Sequence, residues 1–378
     1  MRLFQMIRFV FLSLLVLTVV EGVEKRCIGI FTCKIEGVGQ WDPDSVATGI
    51  AGSEEAVIYM AKELSQLGYQ VIVYGNPPKD SVHSGTHCNP RYLDADTKET
   101  IPLDIAISWR MPYLGPSLKT KAKTVYLWPH DTLHTRLPVE FIQSFNDILW
   151  LSEWQRNQWL AINPEVEFYP HIFGNGIEQE QFSPLLQRSN PHSCIYGSNY
   201  ARGLEILLDL WPEIKQHFPN ATLDIYYGWQ HWGLLTSACE LKMRKQIEEY
   251  APLSVTDYGK VGHHALSEAY AKASIWAYPC ICPETFCITA LKAQASGAIP
   301  VIIEGSALTE TVKGGFRCIN TNDYLSMLLQ ALKHAETISI EERKQYKNFV
   351  TEKFTWQSIA KKWDQVFTKD LTYVTDEY

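Results

Sequence analysis

The chain has 378 residues, 46% of them hydrophobic and 20% charged, and a formal net charge of −8. That length is enough for two sizeable cores, and the composition is that of a globular protein, which excludes a disordered chain. The acidic balance excludes nucleic acid as the general partner but leaves room for a small anion-binding site.

At the N-terminus, Arg2 and Arg8 precede an apolar run from Phe9 to Val20, and Val20 and Gly22 satisfy the small-residue rule for cleavage. Residues 1–22 therefore read as a secretory signal. A short membrane anchor and a dispensable extension on a cytoplasmic enzyme are the competing readings. Nine cysteines, an odd number without repeated C-x-x-C spacing, do not settle the compartment. Asn220, Ala221 and Thr222 form a glycosylation acceptor if the chain enters the lumen.

From Cys27 the pattern alternates strand and helix. A β-like run (Cys27 to Cys33) and a Gly/Asp/Pro-rich loop lead into a helix from Ser53 to Leu67, with Val57, Met60, Ala61 and Leu64 on one face and Gly68 closing it. Strands are predicted at Gln70 to Tyr74, Asp104 to Trp109, Thr124 to Trp128 and Asp147 to Leu151. After a hinge at Pro170 to Pro184, a second set runs through Ser193 to Tyr196, Thr222 to Tyr227, Val255 to Tyr258, Ser274 to Tyr278 and Pro300 to Ile303. Short apolar strands separated by helices predict parallel sheets covered on both faces. The fold class expected is α/β, with two facing doubly wound domains at 26–175 and 176–352 and a ligand cleft at their strand ends.

The densest chemical signal is WAYPCICPETFCITALKAQASGAIPV, Trp276 to Val301. It predicts a strand, a loop bearing Glu284, a helix capped by Thr285, and a second strand. Free amides at Thr285, Phe286 and Cys287 would favour a diphosphate, and Glu284 could accept hydrogen bonds from sugar hydroxyls. Cys280, Cys282 and Cys287 crowd this loop, and His83, His87 and Cys88 share another. No companion histidine pair at ligand spacing lies near the three cysteines, and the second set lies in a Ser/Gly-rich loop, so no metal is expected. His263 and His264 follow a turn and suit a solvent or base-edge role.

Together and in this order, TGIAGSEEAV (Thr48 to Val57), LWPHD (Leu127 to Asp131), LSEWQ (Leu151 to Gln155), NGIEQEQF (Asn175 to Phe182), ARGLEILLDLWPEI (Ala201 to Ile214), YGKV (Tyr258 to Val261) and PETFCITALKAQASGAIPV (Pro283 to Val301) resemble glycosyltransferase family 4, the group 1 transferases. The resemblance implies a GT-B fold of two Rossmann-like domains, the first for the acceptor and the second for the donor. It also implies a final helix at 353–370 crossing back to the first domain. The implied activity is retaining transfer of a hexose from a nucleoside diphosphate sugar to a glycan, lipid or protein hydroxyl. No cofactor or protein-bound metal is implied, and peripheral membrane association is a further expectation.

Carried onto this chain, the resemblance puts Glu284 on the donor sugar, Gly49 and Gly52 beside the donor phosphate, and His130 on the far side of the sugar. Arg202 takes the place of a diphosphate-neutralising lysine, and Ser198 replaces a companion arginine. Trp109, Arg110 and Asp131 fall on the acceptor side. Lys292 stands where the family pattern expects a second glutamate, about 12 Å of helix beyond the first, to accept the ribose hydroxyls. Lysine cannot accept a hydrogen bond, so weak donor binding, a gain of affinity on Lys292→Glu, or a preference for a donor with extra negative charge near the ribose is expected. A degenerate binding protein is the rival reading. A nucleotide-sugar epimerase lacks evident acid/base carboxylates, and a dinucleotide oxidoreductase lacks G-x-G-x-x-G after the first strand.

Overall fold

The computed structural model describes residues 26–375 except Glu36, Ser183 and 230–234. The basic and apolar N-terminal segment read as a signal lies outside the described residues. No helix among those described is long and apolar enough to cross a membrane.

Two six-stranded parallel sheets form the frame. The first contains β1 (Cys27–Phe31), β2 (Gln70–Gly75), β3 (Arg91–Asp94), β4 (Leu103–Trp109), β5 (Ala122–Trp128) and β6 (Asp147–Ile148) in the order β3-β2-β1-β4-β5-β6. The second contains β7 (Ser193–Tyr196), β8 (Thr222–Ile225), β9 (Val255–Asp257), β10 (Ile275–Tyr278), β11 (Ile299–Ile303) and β12 (Phe316–Cys318) in the order β12-β11-β10-β7-β8-β9. Both sheets have one topology. Strand order reverses between β1 and β4 in one, and between β7 and β10 in the other, which opens a crevice at the carboxyl ends of those strands.

Strand identity follows from burial on both faces. Ile28 lies opposite Val71 and Ile105 in register, and all three are buried. Two strands escaped the sequence reading, Arg91–Asp94 and Phe316–Cys318. Both are short edge strands holding an ion-paired arginine, Arg91 with Glu99 and Arg317 with Glu304, so neither carries an apolar run. The predicted strand Asp147 to Leu151 is regular only to Ile148; Trp150 then bridges Ile172, and Leu149, Trp150 and Leu151 stay buried.

The last helix, Trp356–Thr375, packs onto the first domain. Trp356, Ile359, Ala360, Trp363, Phe367 and Leu371 join its core, with spacings of three and four residues that make one apolar stripe. Tyr69 and Tyr126 donate to Asp364 and Asp370 at 2.6 and 2.8 Å, fixing the stripe's register.

The segment around Glu284 differs from expectation. Its helix runs Ile288–Ala295 and starts after Cys287, which holds φ 75. Ile288, Leu291 and Ala295 face the first domain's core, whereas Ala290 and Ala293 face the second. This helix is a wedge between domains, and its burial all round explains why it reads as apolar on every side.

Candidate functional site

Arg202 and Glu284 meet at the switch point of the second sheet. Arg202 lies in the turn after β7, just before Gly203, whose φ of 98 starts the helix Leu204–His217; a Cβ at Gly203 would sit 2.1 Å from the Pro279 carbonyl oxygen. Only glycine lets the two strand-end loops approach so closely. Glu284 follows β10, and its backbone N–H donates to Ser306 Oγ at 2.9 Å.

Arg202 Nη1 lies 2.8 Å from Glu284 Oε1. The ion pair lacks hydrogen-bonding angles, so the buried Nη1 group remains without a hydrogen-bond acceptor. Burial alone would lower the Arg202 pKa, but Glu284, Tyr278 and the neighbouring thiols outweigh it and raise it. The guanidinium is a fixed cation with donors to spare. Tyr278 donates its hydroxyl to Glu284 Oε1 and lies 3.2 Å from Ser198 Oγ. Burial, then the Glu284 charge, pushes the Tyr278 phenol well above its ordinary value, so it stays a neutral donor. Tyr278 was not singled out in the sequence; its position as the last residue of β10 was the available signal.

The first domain faces this pair with His130, Arg110 and Asp131. Arg110, at φ 68, grips Asp131 through Nε and Nη2 at 2.7 and 2.6 Å. His130 Nε2 is buried without a partner, and the Trp109 and Trp128 rings pack 5.7 and 4.8 Å from the imidazole. Burial first, then Arg110, pushes the His130 pKa well below its ordinary value, so the ring is neutral. Glu54 Oε1 is also buried and unpartnered, and burial raises that carboxyl's pKa.

Four expectations are corrected. Trp109 is 1% exposed and packs in the first core, so its ring is core and not an open acceptor wall. Phe286 is buried in the same core and edges against Phe354. Thr285 does not cap the helix: its hydroxyl donates across the domains to the His130 carbonyl at 3.0 Å, and its own carbonyl accepts from Ser152 Oγ at 2.8 Å. The amides at the helix start are therefore those of Ile288 and Thr289, after Cys287. His263, expected to face solvent or a base edge, is buried between the domains, whereas His264 is exposed.

Gly49 and Gly52 serve domain contact in this closed geometry. A Cβ at Gly49 would lie 2.5 Å from the Val261 carbonyl oxygen, and Gly52 faces Ile288 Cδ1 at 3.7 Å. Glu310 of the second domain accepts the Glu153 and Trp154 amides at 2.9 and 2.8 Å, capping a helix of the first. Among the described residues, the side chains gathered at metal-ligand spacing are Asp42, Asp44 and His83. They already bond to one another or to Ser81.

Lys292 is not exposed to solvent. Its Nζ donates to Glu55 Oε2, on the first domain, at 2.6 Å, and both residues are buried. His263 Nε2 lies 3.6 Å from the same oxygen, and Nδ1 is 3.2 Å from Tyr59 Oη. Lys292, Glu55 and His263 wall an interdomain cavity of ≈ 60 Å³ together with Gly52, Gly197, Lys260 and Thr289. Nothing in the sequence around Glu55 reveals a partner 237 positions away.

Burial lowers the His263 pKa to about 4, against the opposing pull of Glu55. The unfolded chain then binds a proton that the folded chain refuses. His263 costs no stability above its ordinary value of 6.5, and folding stability falls as pH drops from there towards 4. Denaturation midpoints of the native chain and His263→Gln should diverge over that window, the native chain losing about 3 kcal/mol more. Parallel pH curves would count against a buried neutral imidazole.

No protein-family model matches the chain, and no curated protein matches it. Solved structures do. Sucrose-phosphate synthase from Thermosynechococcus elongatus superposes with a TM-score of 0.68 at 15% identity, covering 91% of this chain and 99% of that one. A glycosyltransferase from Rickettsia africae gives 0.67 at 15% identity, covering 92% and 99%. HepE of Anabaena, solved in complex with UDP and glucose, gives 0.65 at 12% identity, covering 91% and 100%. The two six-stranded parallel sheets, their shared strand order and these likenesses place the chain in the GT-B glycosyltransferase fold.

Proposed function

We propose that the protein is a retaining glycosyltransferase that moves a hexose from a nucleoside diphosphate sugar to a hydroxyl acceptor, with no metal bound to the protein. The observation that carries this reading is the buried Arg202–Glu284 contact at the switch point of the second sheet. A carboxylate there can orient sugar hydroxyls, and the unspent donors of Arg202 can meet the charge that develops as the nucleoside diphosphate leaves. The Ile288 and Thr289 amides, at a helix start opening on the interdomain cavity, add donors for phosphate oxygens. HepE with UDP-glucose and starch synthase IV with ADP and acarbose are solved examples of this fold holding such ligands.

No protein nucleophile is needed on this reading. The departing diphosphate takes the proton of the attacking hydroxyl on the same face, and the protein supplies position and charge. His130 and the Arg110–Asp131 pair form the opposing wall on the acceptor side. A cavity of ≈ 60 Å³ is several-fold too small for a nucleotide, so the domains part for entry and close for transfer.

A second reading, a nucleotide-binding protein without turnover, draws on the Lys292–Glu55 pair that occupies the cleft. Incubating the chain lacking residues 1–22 with UDP-, GDP- and ADP-sugars separates the two. Release of nucleoside diphosphate from at least one supports transfer, and binding without release supports the second reading. Neither binding nor release from any donor rejects both.

A further inference from the structure

We propose that Glu55, on the first domain, is the acceptor for the ribose hydroxyls of the donor, and that Lys292 is the positioning residue that aims it. This rests on the transferase reading. A nucleotide sugar is linear in its chemistry: sugar, diphosphate, ribose, base. With the sugar at Glu284 and the diphosphate between Arg202 and the helix start, the nucleoside must lie on the side away from Glu284. That is where Lys292, one helical turn beyond Ile288, opens on the interdomain cavity.

What this side offers a vicinal diol is decided by charge and hydrogen-bonding capacity. Lys292 can only donate. Glu55 lines the cavity and can accept: its contacts with Lys292 and His263 both use Oε2, and among the described residues Oε1 has no hydrogen bond. Lys292 Nζ, 2.6 Å from Oε2, holds the carboxylate in place. His263, neutral at physiological pH, adds no competing charge. Lys260 also lines the cavity and, among the described residues, has no ion-pair or hydrogen-bond partner, so its ammonium can meet a phosphate. The consequence is a ribose site split between domains. Glu55 belongs to the first and the phosphate donors to the second, so the nucleoside is gripped only when the domains close.

The test is calorimetric titration of the chain lacking residues 1–22 with UDP, GDP and ADP, and with the 2′-deoxy form of whichever binds best. The native chain should favour the ribonucleotide by about 10- to 100-fold, the worth of a hydrogen bond to a charged group. Glu55→Gln should shrink that preference to within about threefold. Lys292→Glu should weaken binding of the ribonucleotide, Lys292→Arg should keep the preference, and the exchange Glu55→Lys with Lys292→Glu should restore it, since the pair is only reversed. If the native chain binds nucleotide and Glu55→Gln keeps the full preference, the assignment of Glu55 is wrong while the transferase reading stands. If no nucleotide binds the native chain, the transferase reading falls and this inference with it. The exchange variant guards against misfolding of the single ones: a folded exchange variant that binds nucleotide without discriminating the 2′-hydroxyl also overturns the proposal.

Discussion

Lys292→Glu lowers the stability of the folded chain by about 3 to 5 kcal/mol. The native pair bridges the two domains at 2.6 Å with both side chains nearly dehydrated. The substitution leaves Glu55 without its cation and places a second carboxylate beside it in the same dry space, where like charges cannot both ionise cheaply. Denaturant unfolding at neutral pH reads the loss as a lower midpoint. Part of it returns as pH falls, because one of the two carboxyls then takes up a proton. The exchange of Glu55→Lys with Lys292→Glu recovers most of the midpoint, since coupled neighbours are not additive. An unchanged midpoint in the single variant would mean that the pair is solvated in solution. The pair thus gives Lys292 a structural role that the sequence expectation, of better donor affinity on restoring a glutamate at 292, did not include.

Glu284→Gln reduces transfer by about 10²- to 10³-fold, comparable to losing one preorganised electrostatic contact in an enzyme site. The amide keeps the volume and still accepts from Tyr278, so the fold is retained. What disappears is the negative charge facing Arg202 at 2.8 Å and the ionised acceptor for the sugar. On the proposed donor orientation, nucleoside diphosphate affinity changes by less than about tenfold, because the nucleoside would lie on the opposite side of the helix start. Turnover with saturating donor and titration with nucleoside diphosphate give the two numbers separately. Equal losses in both would move Glu284 from the sugar to the nucleotide, and full activity would remove it from the site.

Much of the frame was legible from residue order. Apolar runs such as Ile105 to Ile107 report strands buried on both faces, and Val57, Met60, Ala61 and Leu64 report the covered face of a helix. These are local signals, set by the period of the backbone. The edge strands Arg91–Asp94 and Phe316–Cys318 carried none. The juxtaposition of Arg202 and Glu284 was also within reach, because each follows a strand and the doubly wound order brings those strand ends together.

The helix start could not be placed the same way. Thr285 has the chemistry of a cap, and over a short window its preference is the available guide. In the folded chain its hydroxyl is taken by the His130 carbonyl of the other domain, and the helix begins at Ile288. Trp109 looks like an acceptor-side aromatic until the core closes around it.

Residue types and their periodicity thus settled the α/β layout and the two-domain plan, because each depends on neighbours a few positions apart. Which oxygen meets which cation was settled by folding alone. Glu55 and Lys292 are a repulsive charge and a missing acceptor when considered singly, and a matched pair only once two independently wound sheets are pressed together and water is excluded between them.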